Sequence, residues 1–306
     1  MRSVCLINSY NYETYLEECV RSALCQTRPF DVIHIVDDGS TDKSRPMLEA
    51  LASQFHNIVL HFKQNGGQLS CFNTATQFVQ PDDLICMLDA DDVLPADYLA
   101  LLLQKRQLMP ADLYFCEPTY FKNTEPPPAS AARATSDPDF AWQISSHTVR
   151  RDRIWTGSPT SCISLTGALF LQLLPFPFES DWRTRADDIL ILGSAIVGAS
   201  KCYLPSLTIG YRVHGANSFY GKTEDSAAKL RYALRVERVF NTYCARVNLS
   251  QIVDLLEGPA RREIELVPNQ LRSRFNLPTD RTMTLQKYRG ARRTLKKLRM
   301  MLKGEY

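Results

Sequence analysis

No stretch of this chain approaches the ~20 consecutive apolar residues that a helix needs to cross a bilayer, which excludes a membrane-spanning segment of that kind. The first residues, MRSVCLINSYNY, carry one early basic residue, but their apolar run is only four residues long. That is too short for the core of a signal peptide, so the expectation is a protein made and kept in the cytosol. No C-x-x-C pair occurs among the nine cysteines (Cys5, Cys19, Cys25, Cys71, Cys86, Cys116, Cys162, Cys202 and Cys244). Their number is odd and most lie inside apolar runs such as VCLI and LICML. They read as buried free thiols in a reducing compartment, which argues against a zinc site. There is no internal repeat.

What is present is an ordinary globular composition: 306 residues, 44% hydrophobic and 23% charged, enough for one large core or two modest domains. The net charge of +3 conceals an asymmetry. Residues 1–120 hold 8 Lys/Arg against 16 Asp/Glu, whereas residues 221–306 hold 19 against 9, so the acidic and basic ends are expected to meet different partners.

Short apolar runs alternate with amphipathic ones along the first 120 residues. SVCLI, DVIHIV, NIVLHF, DLICMLD and ADLYFCE have the length and composition of strands, and the segments between the first four pairs have helical spacing, for example Leu16, Cys19, Val20, Ala23 and Leu24. The pattern predicts an α/β fold: a mostly parallel sheet with helices on both faces. In such sheets ligands bind at the carboxyl ends of the strands, where the polar clusters NSYNY, DDGSTD, NGGQ and DADD all fall. Residues 123–139, NTEPPPASAARATSDPD, read as a mobile loop. Beyond Lys222 the sequence is largely helical in character.

The segment ICMLDADDVLPADYL poses the chemical question. Asp89 and Asp91 straddle Ala90 at the end of an apolar strand, where paired carboxylates repel each other unless a cation neutralises them. Hard oxygen ligands in this arrangement suit Mg²⁺ or Mn²⁺, which take further ligands from a substrate's phosphates. A preference for acids at the start of the next helix would explain Asp92 and Asp97 but not Asp89. Asp37 and Asp38 form a second acidic pair in a turn that Gly39 permits.

INSYNYETYLEECVRSALCQT, DVIHIVDDGSTDKS, NGGQLSCFNTA, LDADDVLPADYL and YRVHGANS, in this order, resemble glycosyltransferase family 2 over about residues 3–218. The resemblance implies the GT-A fold over residues 1–220, and the region that follows, 221–306, reads from its own residues as basic and mostly helical. It implies metal-dependent, inverting transfer of a sugar from a nucleoside diphosphate, UDP by default, to a hydroxyl of a glycan or a lipid-linked acceptor. Asn8, Ser9 and Tyr10 match the segment that lines the nucleotide, Asp38 the acid that contacts the base with Asp37 beside it, and Gly66 and Gly67 the loop that passes close by. Asp89 and Asp91 match the Asp-x-Asp motif, the first towards the ribose and the second as metal ligand.

The family's catalytic base is the acid of a Glu-Asp pair about eleven residues before a glycine. Counting back from Gly198 reaches Asp187, preceded here by Ala186 and followed by Asp188, so the base is one of two adjacent acids, Asp187 preferred. His214 could ligate the metal or reach the diphosphate, and Arg212 could pair with a phosphate. Residues 155–162, with Trp155, Thr160 and Ser161, match the region that approaches the acceptor.

Residues 281–303 hold nine Lys/Arg and no Asp/Glu, with apolar residues near helical spacing. The segment suits either the anionic inner face of a membrane or packing on its own or a second subunit, which leaves a homodimer open. It lacks the aromatic interleaving of a nucleic-acid platform. Two rival readings remain. ICMLDADDVL also fits the first motif of haloacid-dehalogenase-type phosphatases, with Asp89 as nucleophile, and the missing Glu before Asp187 allows an inactive nucleotide-sugar-binding protein.

Overall fold

In the central strands, alternate residues enter two different cores. Val4 and Leu6, Val32 and Val36, and Ile85 and Met87 face one side, whereas Cys5 and Ile7, Ile33 and Ile35, and Cys86 and Leu88 face the other. A strand with no face left for water reads as an unbroken apolar run, which is why these strands were visible in the sequence. The computed structural model describes residues 1–143, 145–215, 225–249 and 257–277.

The first half is a regular alternation: β1 (Ser3–Ser9), α1 (Leu16–Leu24), β2 (Val32–Asp37), α2 (Ser44–Gln54), β3 (Ile58–Phe62), α3 (Gln68–Ala75), β4 (Leu84–Asp89), α4 (Tyr98–Leu108) and β5 (Leu113–Lys122). The second half adds β6 (Phe140–Trp142), α5 (Ser146–Asp152), β7 (Ile163–Thr166), α6 (Gly167–Leu173), α7 (Asp187–Ile196) and β8 (Lys201–Val213). Helices α8 (Ser226–Arg246), α9 (Glu257–Glu265) and α10 (Asn269–Arg274) follow. Eight strands form one sheet in the order β3-β2-β1-β4-β7-β5-β8-β6. The β1, β2, β3 and β4 neighbours are parallel, as are β5 and β8, while β7 runs antiparallel between β4 and β5 and β6 antiparallel to β8.

This is the mostly parallel α/β sheet expected. Helices α1, α2 and α4 cover one face, and α3, α6 and α7 cover the other. The core beneath α3, α6 and α7 continues into the C-terminal helices: Val239, Phe240 and Tyr243 of α8 and Leu271 of α10 belong to it, together with Phe275 just beyond. The Tyr243 hydroxyl donates to the Leu173 carbonyl at 3.0 Å.

Three details differ from expectation. The segment 123–139 is anchored at its middle: Ala131 is buried, Ala132 bridges to Leu207, and Asp97 accepts from the Ser130 hydroxyl (2.5 Å) and the Ala131 N–H (2.6 Å). Asp97 stands at the start of α4 as expected, but its carboxylate closes this loop and makes no capping hydrogen bond to the helix. Of the nine cysteines, Cys25 is exposed, since it stands just past the end of α1. The basic segment 281–303 and the last residues of YRVHGANS lie outside the described residues.

The register fixes what the fold does for the site. Ser9 pairs with Asp37 and Asn8 with Asp89, so the polar ends of β1, β2 and β4 are brought level along one edge of the sheet.

Candidate active site

Beyond that edge opens a cavity of about 770 Å³. Asn8, Ser9, Tyr10, Asp38, Gly67, Asp89, Asp91, Trp155, Thr160, Asp187 and Asp188 line it. Asp37, Gly66, Ser161 and His214 stand behind the lining and hold it.

Asp89 ends β4 half-buried. Its Oδ1 accepts from Asn8 Nδ2 at 2.9 Å and from Gln68 Nε2 at 2.9 Å, and its N–H donates to Ser161 Oγ at 2.9 Å. Burial, and then the neighbouring Asp91 charge, push its carboxyl up to about 7. Asp91 Oδ2 lies 2.9 Å from His214 Nε2. Asp92 is buried, with Oδ2 accepting from Ser161 Oγ at 2.6 Å and Oδ1 from the Arg212 N–H at 2.9 Å. It fastens the end of β4 to β8 instead of favouring a helix start. Its carboxyl is raised by burial and by the Asp91 and Asp89 charges.

Arg212 does not face the cavity. Its guanidinium is directed to Glu18 (2.5 Å), Asn123 (3.2 Å) and the Asp91 carbonyl (2.8 Å), which buttresses the acidic turn from behind. The phosphate pairing considered for it has no support in this arrangement.

Asp38 shapes the loop on the other side. Its Oδ1 accepts from Lys63 Nζ (2.6 Å) and the Gly66 N–H (2.9 Å), and its Oδ2 from Asn65 Nδ2 (3.0 Å) and the Gly67 N–H (2.7 Å). Asp37 Oδ1 accepts from the Gly39 and Ser40 N–H groups at 3.1 and 2.9 Å and turns the chain after β2. Gly67 has φ +91°, and a Cβ there would stand 2.4 Å from the Arg183 Cα. Only glycine fits this close approach.

Asp187 and Asp188 open α7 and divide in environment. Asp188 is buried, with Arg185 Nε 3.2 Å from its Oδ2, and the polar hydrogens of Tyr232 and Trp155 favour its ionised form. Burial outweighs these partners and raises its carboxyl. Asp187 faces the cavity, and its Oδ1 accepts only a 3.2 Å contact from the Asp188 N–H. Burial and the charges of Asp188 and Asp89 hold its carboxyl well above the usual range.

Gln68 joins the two acidic centres. Besides Asp89, its Nε2 donates to Thr160 Oγ1 at 3.1 Å, and its Oε1 accepts from the Ala186 N–H at 2.9 Å, at the start of α7. Sequence reasoning saw it only as part of the cluster NGGQ. Tyr12, Tyr120, Arg183, Arg185, Tyr211 and Tyr232 also line the cavity and were not singled out as lining residues. Tyr232 comes from α8, far along the chain, and no local pattern marks it.

The architecture and the placement of acids define the class. The family model for Glycosyl transferase family 2 matches residues 4–171, more than half of the chain, and this protein belongs to that family: it is a glycosyltransferase. It is 27% identical over 260 residues to the uncharacterized glycosyltransferase alr2836 of Nostoc sp., covering 83% of this chain and 79% of that one. Chondroitin synthase of Pasteurella multocida is 31% identical over 135 residues, which is 44% of this chain and 14% of the synthase. Among solved structures, S. aureus TarS 1-349 in complex with UDP-GlcNAc superposes with a TM-score of 0.58 at 19% identity, covering 89% of this chain and 83% of that one. GalNAc-T7 with UDP, GalNAc and Mn²⁺ gives 0.57 at 14% identity, covering 91% and 58%. Both likenesses bear out the GT-A fold. The family membership sets aside the phosphatase reading, in which Asp89 would be a nucleophile.

Proposed function

We propose that this glycosyltransferase moves a sugar from a nucleoside diphosphate sugar, by preference a UDP-sugar, to an acceptor hydroxyl with inversion at the anomeric carbon, in the assembly of a glycan or polysaccharide. The observation that carries this reading is the division of acids in one cavity: Asp89 and Asp91 at the end of β4, and at the head of α7 Asp187, whose Oδ1 accepts from the Asp188 N–H while Arg185 pairs with Asp188. The UDP-GlcNAc bound in the TarS structure supports the donor class.

Asn8, Ser9, Tyr10 and the loop moulded by Asp38 would receive the nucleotide, with Asp89 towards its ribose. In the transfer step Asp187 accepts the proton of the acceptor hydroxyl. The acceptor oxygen bonds to the anomeric carbon as the bond from that carbon to the diphosphate oxygen breaks on the opposite face, and the diphosphate leaves with the electron pair. Asp188, with Arg185 beside it, keeps the head of α7 in place.

The donor set fits a divalent cation of the Mg²⁺ or Mn²⁺ kind. Asp91 and His214 converge, and Asp89 is close. Among the described residues no group of three His, Cys, Asp or Glu side chains is arranged to hold an ion unaided. Such a site suits an ion that completes its shell with water and phosphate oxygens. When bound, it would neutralise charge developing on the leaving diphosphate.

Calorimetry with UDP, GDP and dTDP, with and without Mn²⁺, tests the reading. Mn²⁺-dependent binding of one nucleotide, followed by turnover of one of its sugars, is expected. No binding of any of the three sinks it. No helix among the described residues is long and apolar enough to cross a membrane. For the basic segment 281–303 a peripheral contact with anionic lipid is the working proposal, tested by cosedimentation with phosphatidylserine against phosphatidylcholine vesicles.

A further inference from the structure

The head of α7 carries Asp187 and Asp188, yet its own sequence does little to fix where it points. Its N-cap residue is Ala186, which has no side-chain group to bond the first turn. The residue before it, Arg185, turns the chain into the helix at φ +64°, a left-handed conformation that a non-glycine residue keeps only where its surroundings hold it. In many helices a Glu or Gln in the third helical position reaches back to the N-cap N–H. That position is Ile189 here, and the bond comes instead from another helix: the Ala186 N–H donates at 2.9 Å to Oε1 of Gln68, the first residue of α3.

Gln68 is itself held on the remaining sides. Its backbone N–H donates to the Arg183 carbonyl at 2.9 Å, and its Nε2 donates to Asp89 Oδ1 at 2.9 Å and to Thr160 Oγ1 at 3.1 Å. Only one orientation of the amide fits. A backbone N–H must have an acceptor and a carboxylate a donor, so Oε1 faces Ala186 and Nε2 faces Asp89. A glutamate here would lose the donor, a lysine the acceptor and an asparagine the reach. Burial and the charges of Asp188 and Asp89 already raise the Asp187 carboxyl, and a neutral amide bridges the two sides without adding another charge.

We propose that Gln68 is a positioning residue that sets the spacing between the donor side of the cavity and the base: through the Ala186 N–H it holds Asp187 in line for attack on a sugar whose nucleotide lies against Asp89. This rests on the glycosyl-transfer reading and adds to it a residue that acts through its neighbours. A base displaced by about 1 Å can cost about a hundredfold in rate, which is the scale of the effect sought.

Three variants of the full chain separate the two arms of the amide. Gln68→Met keeps the length and removes donor and acceptor, Gln68→Asn keeps the polarity and loses the reach, and Gln68→Glu keeps an acceptor for the Ala186 N–H while removing the donor to Asp89. Gln68 is half-buried, so these replacements leave the core untouched. One readout needs no substrate: hydrogen exchange of the amides of residues 183–190. The other is hydrolysis of UDP-glucose, UDP-galactose, UDP-GlcNAc and UDP-GalNAc with Mn²⁺, in which water replaces the acceptor. The water oxygen bonds to the anomeric carbon, the bond to the diphosphate oxygen breaks with its electron pair going to UDP, and the proton passes to Asp187.

The Ala186 amide should exchange about tenfold faster in Gln68→Met and Gln68→Asn and stay protected in Gln68→Glu. KM for the hydrolysed donor should rise by a similar factor in Gln68→Met and Gln68→Glu, since both deprive Asp89 of its donor. The value of kcat should fall about a hundredfold in Gln68→Met and Gln68→Asn and recover in Gln68→Glu. Loss of Ala186 protection supports the tie even where no donor turns over. Unchanged exchange in Gln68→Met, or equal kcat in Gln68→Met and Gln68→Glu, overturns it. A wild-type chain that neither binds UDP nor hydrolyses any of the four donors would count against the transfer reading instead.

Discussion

Two aspartates that face one cavity, Asp187 and Asp91, have different neighbours, and each makes its own prediction. Among the described residues Asp187 has no hydrogen-bond donor beyond the Asp188 N–H, and burial holds its carboxyl well above the usual range. Asp187→Ala should lower kcat by about 10²–10⁴ with UDP affinity intact, as removal of a general base does; transfer rates and calorimetry on the same variant check it. Unchanged transfer would remove Asp187 from the mechanism. The sign of the pH effect follows from the direction of the shift. The base works ionised, burial favours the protonated form, and so the rate should fall on acidification well before an ordinary aspartate titrates near 4. Asp91→Ala should remove the Mn²⁺-dependent part of UDP binding, and an unaltered dependence would count against a metal role. Asp89 and Asp91 were legible because charge at the end of a buried strand is costly enough to demand a reason. Gln68 was not, because a neutral amide leaves no such mark, although its hydrogen bonds to Asp89, Thr160 and the Ala186 N–H connect both acidic centres.

At the scale of elements, Lys201 shows what holds α7 in place. It begins β8, is completely buried, and donates from Nζ to the Ile191 carbonyl at 2.7 Å and to Thr156 Oγ1 at 3.3 Å. One side chain thus ties the helix that carries Asp187 to the segment that carries Trp155. Burial pushes its ammonium down to about 7. Between that value and the unfolded lysine's ~10.4 the unfolded chain holds a proton that the folded chain lacks, so stability rises with pH there. The slope approaches about 1.4 kcal/mol per pH unit. Lys201→Met should flatten it, as urea unfolding from neutral pH upwards will show, and an unchanged slope would mean that Lys201 is not its source. The elements themselves were unequally readable. Strands β1 to β5 stood out as apolar runs bounded by polar clusters. β7 did not, because in CISLTGALFLQLL a 3-10 turn, a strand and α6 follow one another with no polar break. β8 was hidden by Pro205 and by a lysine that looks like a surface residue until its carbonyl partners are known.

For the whole molecule, the question is whether the C-terminal helices belong to the catalytic unit. Glu263 of α9 is buried and delivers its carboxylate to the start of α5, accepting from the His147 N–H (3.0 Å), the Thr148 N–H (2.7 Å) and Thr148 Oγ1 (2.7 Å), with His147 Nδ1 at 2.7 Å. These donors have no water to turn to if the acid is removed. α8 supplies Tyr232 to the cavity and Tyr243 to the core, so the helices complete both. The sequence showed their helical character and their charge but not this dependence, because the partners of Glu263 and Tyr243 lie 115 and 70 residues upstream, respectively. If the helices share one cooperative core, heating should give a single transition, with near-UV and far-UV signals coinciding. Glu263→Ala should then destabilise the whole chain by about 3 kcal/mol, moving that one transition as a unit. A second, earlier transition confined to the variant would show instead that α9 and α10 detach from a catalytic fold that stands without them.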